Sequence, residues 1–336
     1  MIDRASPRSD GVLLVVSIDT EEDNWDRSRH GVTLENIGEL RRMAEFFDRV
    51  GVRPTYFTTY QVAIDPAAAG VMREVGTGGR GEIGAHLHPW NTPPLAETFV
   101  PRNSMLKNLP PELQLAKIQT LTAGLEEAFN FTPTAFRAGR YGIGPDTVAA
   151  LVSCGYRVDS SVSPFIDLKA MDDGPSFVGA PMGPYRLAAG RDVREPAPDG
   201  ELVEIPLSYG FNRGPFSLWD PTRRLLEAAP LRWLRLAGLA ARTGLIKRLT
   251  LCPELASVAD MLTLSQRLLE HGMRHLHLTW HSPSFLPGLS PFATTARDVA
   301  RLYASIEKYL EGLSRMTAFT SATVSEAAAQ HLQRVR

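Results

Sequence analysis

Strand-like and helix-like stretches alternate along most of this chain, and that alternation limits the fold more than any other feature. Val12–Ile18 is an unbroken β-branched and apolar run, the pattern of a strand covered on both faces. In Leu34–Val50, Leu34, Ile37, Leu40, Met43, Phe46 and Phe47 recur at helical spacing, and Gly51 supplies a stop. The pairing repeats: a strand at Arg53–Thr58 and a helix at Pro66–Val75, a strand at Gly81–His86 and a helix at Pro110–Phe129. A strand at Thr134–Arg137, a helix at Pro145–Cys154 and a strand at Tyr156–Val158 follow. The pattern resumes with a helix at Ser257–His271, a strand at Arg274–Trp280, a helix at Ala293–Leu313, a strand at Thr317–Thr320 and a helix at Val324–Val335. Such a chain builds a parallel sheet sheathed in helices. The expected fold is α/β: one domain over residues 1–336, a distorted (β/α) barrel of about seven parallel strands. The interruption at about 164–255 reads as an inserted, elaborated segment. It is rich in Pro and Gly to residue 220, has one clear strand at Leu202–Leu207, and turns basic, amphipathic and helical over 221–248. Long insertions of this kind are usually functional, so the segment is expected to cover or flank the strand ends.

Composition removes several functions. Hydrophobic residues make up 43% and charged residues 22%, enough for a buried core. A net charge of −1 provides no basic field for nucleic acid. Cys154 and Cys252 are the whole cysteine complement, too few for a disulfide framework or a thiolate zinc site, which suits a reducing, cytoplasmic setting. The opening MIDRASPRSDG is polar, and the apolar run after it is too short to span a bilayer, so no transmembrane segment or signal peptide is expected. Peripheral membrane contact through 221–248 is conceivable, but a helix packed on the barrel with a solvated arginine face is the simpler reading.

Polar residues fall where the strands end. Asp19, Glu21, Glu22 and Asp23 follow the first strand, and His86 and His88 close the third. Arg137 ends the fourth, Asp159 the fifth, and His281 the strand at 274–280. In parallel α/β folds ligands bind at the carboxyl ends of strands, so these groups should share one face. Two histidines and one carboxylate form a triad that leaves positions open on a divalent metal. Another carboxylate and another imidazole suit a general base and a general acid, and an arginine would hold the base ionised. His275 and His277 alternate with Leu276 and Leu278 and read as one face of a strand rather than as ligands.

Five motifs in order resemble the polysaccharide deacetylases, carbohydrate esterase family four: SIDTEED, EIGAHLHP, FRAGRYGIGPDT, YRVDSSVSP and LTWHSP. The resemblance covers roughly residues 11–163 and 274–330, and the chain is a divergent member on this reading. It implies Asp19 as base, with Glu21, or else Glu22 or Asp23, joining His86 and His88 on a divalent ion, zinc by preference. It implies that Arg137 braces Asp19 and that backbone near Arg140 and Tyr141 meets the oxyanion. Leu278 or Trp280 would line the acyl pocket, and His281 would be the acid, tuned by Asp159. Trp25, Trp90, Tyr141 and Trp280 would suit sugar stacking. Three departures stand out: Thr20 in place of a second aspartate, histidines two rather than four apart, and no proline after Arg137. In extended backbone residues i and i+2 point the same way, so the close pair can still meet one ion.

The expected activity is metal-dependent hydrolysis of an N-acyl group, N-acetyl by preference, on an amino sugar of a polysaccharide or its precursor, as in surface-polysaccharide assembly. The rivals are an amidohydrolase for a non-sugar amide and a degenerate barrel that only binds carbohydrate.

Overall fold

The computed structural model describes residues 11–23, 31–227 and 245–334. Its strands are β1 (Val12–Thr20), β2 (Thr55–Thr58), β3 (Glu82–Leu87), β4 (Ala135–Ala138), β5 (Val158–Asp159), β6 (Tyr185–Leu187), β7 (Leu202–Glu204), β8 (Tyr209–Phe211), β9 (Arg248–Thr250), β10 (His275–His281) and β11 (Phe319–Ala322). Nine form one curled sheet in the order β10-β1-β2-β3-β4-β5-β7-β6, with β11 paired to β1. All its pairings are parallel except β6 with β7. The strand–helix alternation thus produces the expected distorted (β/α) barrel.

β1 is the hub. One edge pairs with β10 from Leu13 to Asp19, while the other meets β11 at Val12–Val15 and β2 at Ser17–Thr20. Its side chains alternate. Leu14, Val16 and Ile18 face the helices and join the large outer core. Leu13 and Val15 face inward with Phe57, Ala135, Val158, Val203 and Ala322, and Ala327 and Ala328 of the helix Val324–Arg334 pack on this inner cluster. The barrel is therefore apolar towards its amino-terminal end, and polar side chains crowd its other end.

The sheet path ends at β6 and β10. Between β7 and β10 the wall is stitched by other bonds. The Pro206 carbonyl lies 3.0 Å from His275 Nε2, His277 N–H donates to Ser208 Oγ at 2.8 Å, and Thr279 N–H donates to the Leu251 carbonyl at 3.0 Å. The two nearer histidines thus serve the seam.

The 164–255 segment differs from a plain insertion, because β7 continues the parallel sheet beside β5. Its β8 and β9 form a separate antiparallel pair. The helical reading of 221–248 holds for the helix Phe216–Glu227, but β9 begins at Arg248. Residues 228–244 lie outside the described residues, as does Trp25. Among the described residues no helix is long and apolar enough to cross a membrane.

Candidate active site

Residues from five strand ends meet at one face. His86 is the penultimate residue of β3 and His88 stands just past it. Their Nε2 atoms lie 3.1 Å apart. Glu21, just after β1, brings Oε2 to 3.1 Å from His88 Nε2 and 3.6 Å from His86 Nε2. All three are buried, and one ligand atom from each falls within 4.8 Å of the others. The outward ring nitrogens are also engaged: His86 Nδ1 lies 3.0 Å from the Arg137 carbonyl and His88 Nδ1 3.2 Å from Glu22. Such partners fix the tautomer and aim Nε2 at a metal. Two imidazoles and one carboxylate, converging and backed in this way, fit a divalent ion.

The three acids after β1 divide their work. Glu21 alone faces both imidazoles. Glu22 stands behind His88 and accepts from Asn91 Nδ2 at 3.0 Å. Asp23 accepts the backbone N–H groups of Glu35 and Asn36 at 2.7 and 2.9 Å, so it closes the loop after β1. Burial alone would raise the Glu21 carboxyl, but hydrogen bonds from His86 and His88 pull it far below the usual carboxylate range. Burial would lower His88, yet Glu21 and Glu22 push it up to about 9, so an ion must displace a proton there.

Asp19 sits beside the triad. Its Oδ1 accepts from Arg137 at 2.5 Å, while Oδ2 lies 4.0 Å from His86 Nε2 and 3.8 Å from His281 Nε2. Burial would raise its carboxyl, but Arg137, and then His86 and His281, hold it below the ordinary value. Arg137 is fully buried. It also donates to Thr279 Oγ1 and to both Ser160 oxygens, and its guanidinium carbon lies 4.2 Å over the Phe57 ring. An arginine so held fixes the free oxygen of Asp19.

His281, at the end of β10, stands beside Asp19 as its register partner. Its Nδ1 lies 2.8 Å from Glu254 Oε2, and its backbone N–H reaches the other oxygen at 3.3 Å. Burial would lower the ring, but Glu254 first, then Glu21 and Asp19, push it up to about 10. This corrects the expected role of Asp159. That residue, in β5, pairs in register with Glu204 and accepts from the Ser161 N–H and hydroxyl at 2.9 Å. Burial raises both carboxyls, and the neighbouring Asp159 raises Glu204 the further. The acid that hydrogen-bonds the His281 ring is Glu254. Glu254 lies four residues past the three-residue β9, after LTLCP, where the sequence carries too short a strand pattern to mark a strand end.

Leu278 and Trp280 are a second correction. Asp19 and His281 are register partners on the inner face, so their odd-numbered companions point inward and Leu278 and Trp280 point out. Both are fully buried in the outer core, and Trp280 packs on Phe47 and Phe285. Neither lines an acyl pocket. Trp90 stacks on His88 with ring centroids 4.2 Å apart and borders a cleft of about 250 Å³ with Phe99, Val100 and Pro101. Tyr141 and Arg140 both adopt left-handed backbone, at φ 57° and 55°. That sharp turn brings the Tyr141 phenol into the fields of Tyr209 and Asp19, and burial pushes it well above its usual value.

Solved structures share this fold. A candidate polysaccharide deacetylase from Mycobacterium smegmatis has a TM-score of 0.55 at 18% identity, covering 98% of this chain and 93% of that one. A candidate glycoside hydrolase/deacetylase from Parabacteroides distasonis gives 0.57 at 12%, covering 96% and 70%. The 4-alpha-glucanotransferase from Thermococcus litoralis gives 0.50 at 12%, covering 95% and 40%. Because these likenesses span more than one activity, the fold leaves the reaction to be argued from the site. No family model matches the sequence, and no curated protein does.

Proposed function

We propose that this protein is a metal-dependent hydrolase that removes an N-acyl group, most readily N-acetyl, from an amino sugar in a polysaccharide or its precursor. The observation that carries the reading is the placement of Asp19, tied to Arg137, and His281, tied to Glu254, as neighbours beside the Glu21–His86–His88 triad, with Asp19 Oδ2 3.8 Å from His281 Nε2 and 4.0 Å from His86 Nε2. A divalent ion on the triad, zinc by its N₂O donor set, would supply Lewis acidity beside the scissile carbonyl. Asp19, held ionised, takes the proton of the attacking water through its free oxygen. His281, held protonated, gives its proton to the nitrogen as the C–N bond breaks, and Glu254 stabilises the imidazolium until then. Backbone N–H at the Arg140–Tyr141 turn is the candidate donor to the developing oxyanion. An amide needs both a base for water and an acid for a poor leaving amine, and both are present; a barrel that merely binds sugar needs neither.

The test is a panel. Zinc-loaded protein is incubated with N-acetyl and N-formyl amino sugars, free and in oligomers, beside N-acetyl amino acids, and acid release is measured. Release from the sugars supports the reading. Release from the amino acids alone replaces it with hydrolysis of a non-sugar amide.

A further inference from the structure

A buried lysine stands apart from the chemistry. Lys117, on the helix Pro111–Phe129, is fully buried. Its Nζ donates to the carbonyls of Pro89, Thr92 and Pro94 at 2.8, 2.7 and 2.8 Å, and the Glu97 carboxylate sits 3.0 Å away. All four partners belong to one loop, the one that leaves His88. A burial this costly is balanced only when every donor is used. Lys117 spends its donors on an irregular segment that has no ladder of its own.

That loop reaches back to His88 in three ways. The Trp90 ring stacks on the imidazole with the planes 20° apart. Asn91 Nδ2 donates to Glu22, which faces His88 Nδ1. The backbone N–H groups of Asn91 and Thr92 also return to the His88 carbonyl at 3.4 and 3.1 Å. His88 itself lies past the end of β3, so sheet bonds do not aim it. We infer that Lys117 is a positioning residue: by clamping residues 89–97 it sets the orientation of His88, and with it the affinity of the triad for its ion. The inference rests on reading Glu21, His86 and His88 as an ion site.

Zinc affinity of the full-length protein, stripped and then titrated against a competing chelator, tests it at a temperature where each variant is folded. Lys117→Met and the paired Lys117→Met/Glu97→Met should bind zinc about 10–100-fold more weakly, the usual effect of losing an outer partner of a ligand. The paired change removes both buried charges and keeps the volume, which protects folding. Asn91→Ala should weaken binding in the same direction without touching the lysine. A purely structural lysine would lower the melting temperature of the metal-free protein and leave the zinc dissociation constant alone. That result in a folded Lys117 variant overturns the inference. Should neither lysine variant fold, unchanged affinity in Asn91→Ala overturns it. A wild-type protein that takes up no zinc defeats the ion-site reading as well, so the two failures differ.

Discussion

Asp19 is tied at one oxygen and open at the other, and His281 faces the open one. The residue-scale claim is that Arg137 and Glu254 set the charges of this pair. Glu254, with Glu21 and Asp19, pushes the His281 ring up to about 10 from 6.5 for a free imidazole. A raised folded value means that protonated His281 stabilises the fold fully below pH 6.5, and that this contribution drains away as pH climbs through 10. The same shift keeps the acid form available for turnover. Glu254→Gln removes the largest raising influence, so the alkaline limb of the pH–rate profile should move to lower pH while the acidic limb stays. An unmoved alkaline limb in the pH-dependent kinetics would place the proton donor elsewhere. Asp19, Glu21, His86, His88, Arg137 and His281 were legible as polar residues at strand ends, because the parallel fold sends such positions to one face. Glu254 escaped notice because it lies in a segment with no helical or strand period long enough to mark β9 in advance.

At the scale of elements, the site depends on two strand ends being close. β3 and β4 pair from Ala85 to Leu87, and Gly139 follows β4 directly against His88. A Cβ at Gly139 would stand 2.6 Å from His88 Cδ2 and from the Leu87 carbonyl. Gly139→Ala should therefore push the imbalance into the ring, destabilise the fold by about 1–3 kcal/mol, and weaken zinc binding. Denaturant titration and chelator competition measure the two effects. β10 carries the opposite lesson. Its alternation was visible in HLHLTWH, and parity places Leu278 and Trp280 on the outside once His281 is inside. Motif resemblance alone assigned them to the acyl pocket, while the pleat assigns them to the core. Leu278→Ala should cost about 2–5 kcal/mol of stability and leave kcat/KM within a few-fold. A large loss of kcat/KM with little loss of stability would return Leu278 to the pocket. The short strands β6, β8 and β9 were not legible, since none sits in an apolar stretch as long as the LVEIPL that marked the equally short β7.

The whole molecule separates its tasks along the barrel axis. Apolar residues and the helix Val324–Arg334 fill one end, and buried charge fills the other. A cluster of Asp19, Glu21, Glu22, His86 and His88 in so little water is held together by neutralisation, and a bound ion would add to it. Zinc at 100 times its dissociation constant should stabilise the protein by about 2.7 kcal/mol, read as a rise in melting temperature that His86→Ala abolishes. The strand–helix order announced the barrel because each crossover buries a helix on the sheet. The role of 164–255 was harder to read, since it contributes both a barrel strand, β7, and the acid that faces His281. The central claim is that Asp19 is the base and the triad alone holds the ion. The most direct measurement is acetate release from an N-acetyl amino-sugar oligomer by Asp19→Asn protein whose zinc content is determined on the same sample. The account predicts zinc equal to wild type and a rate lower by about 10²–10⁴-fold. Zinc lost in step with activity would contradict it, because Asp19 would then be a ligand and not the base.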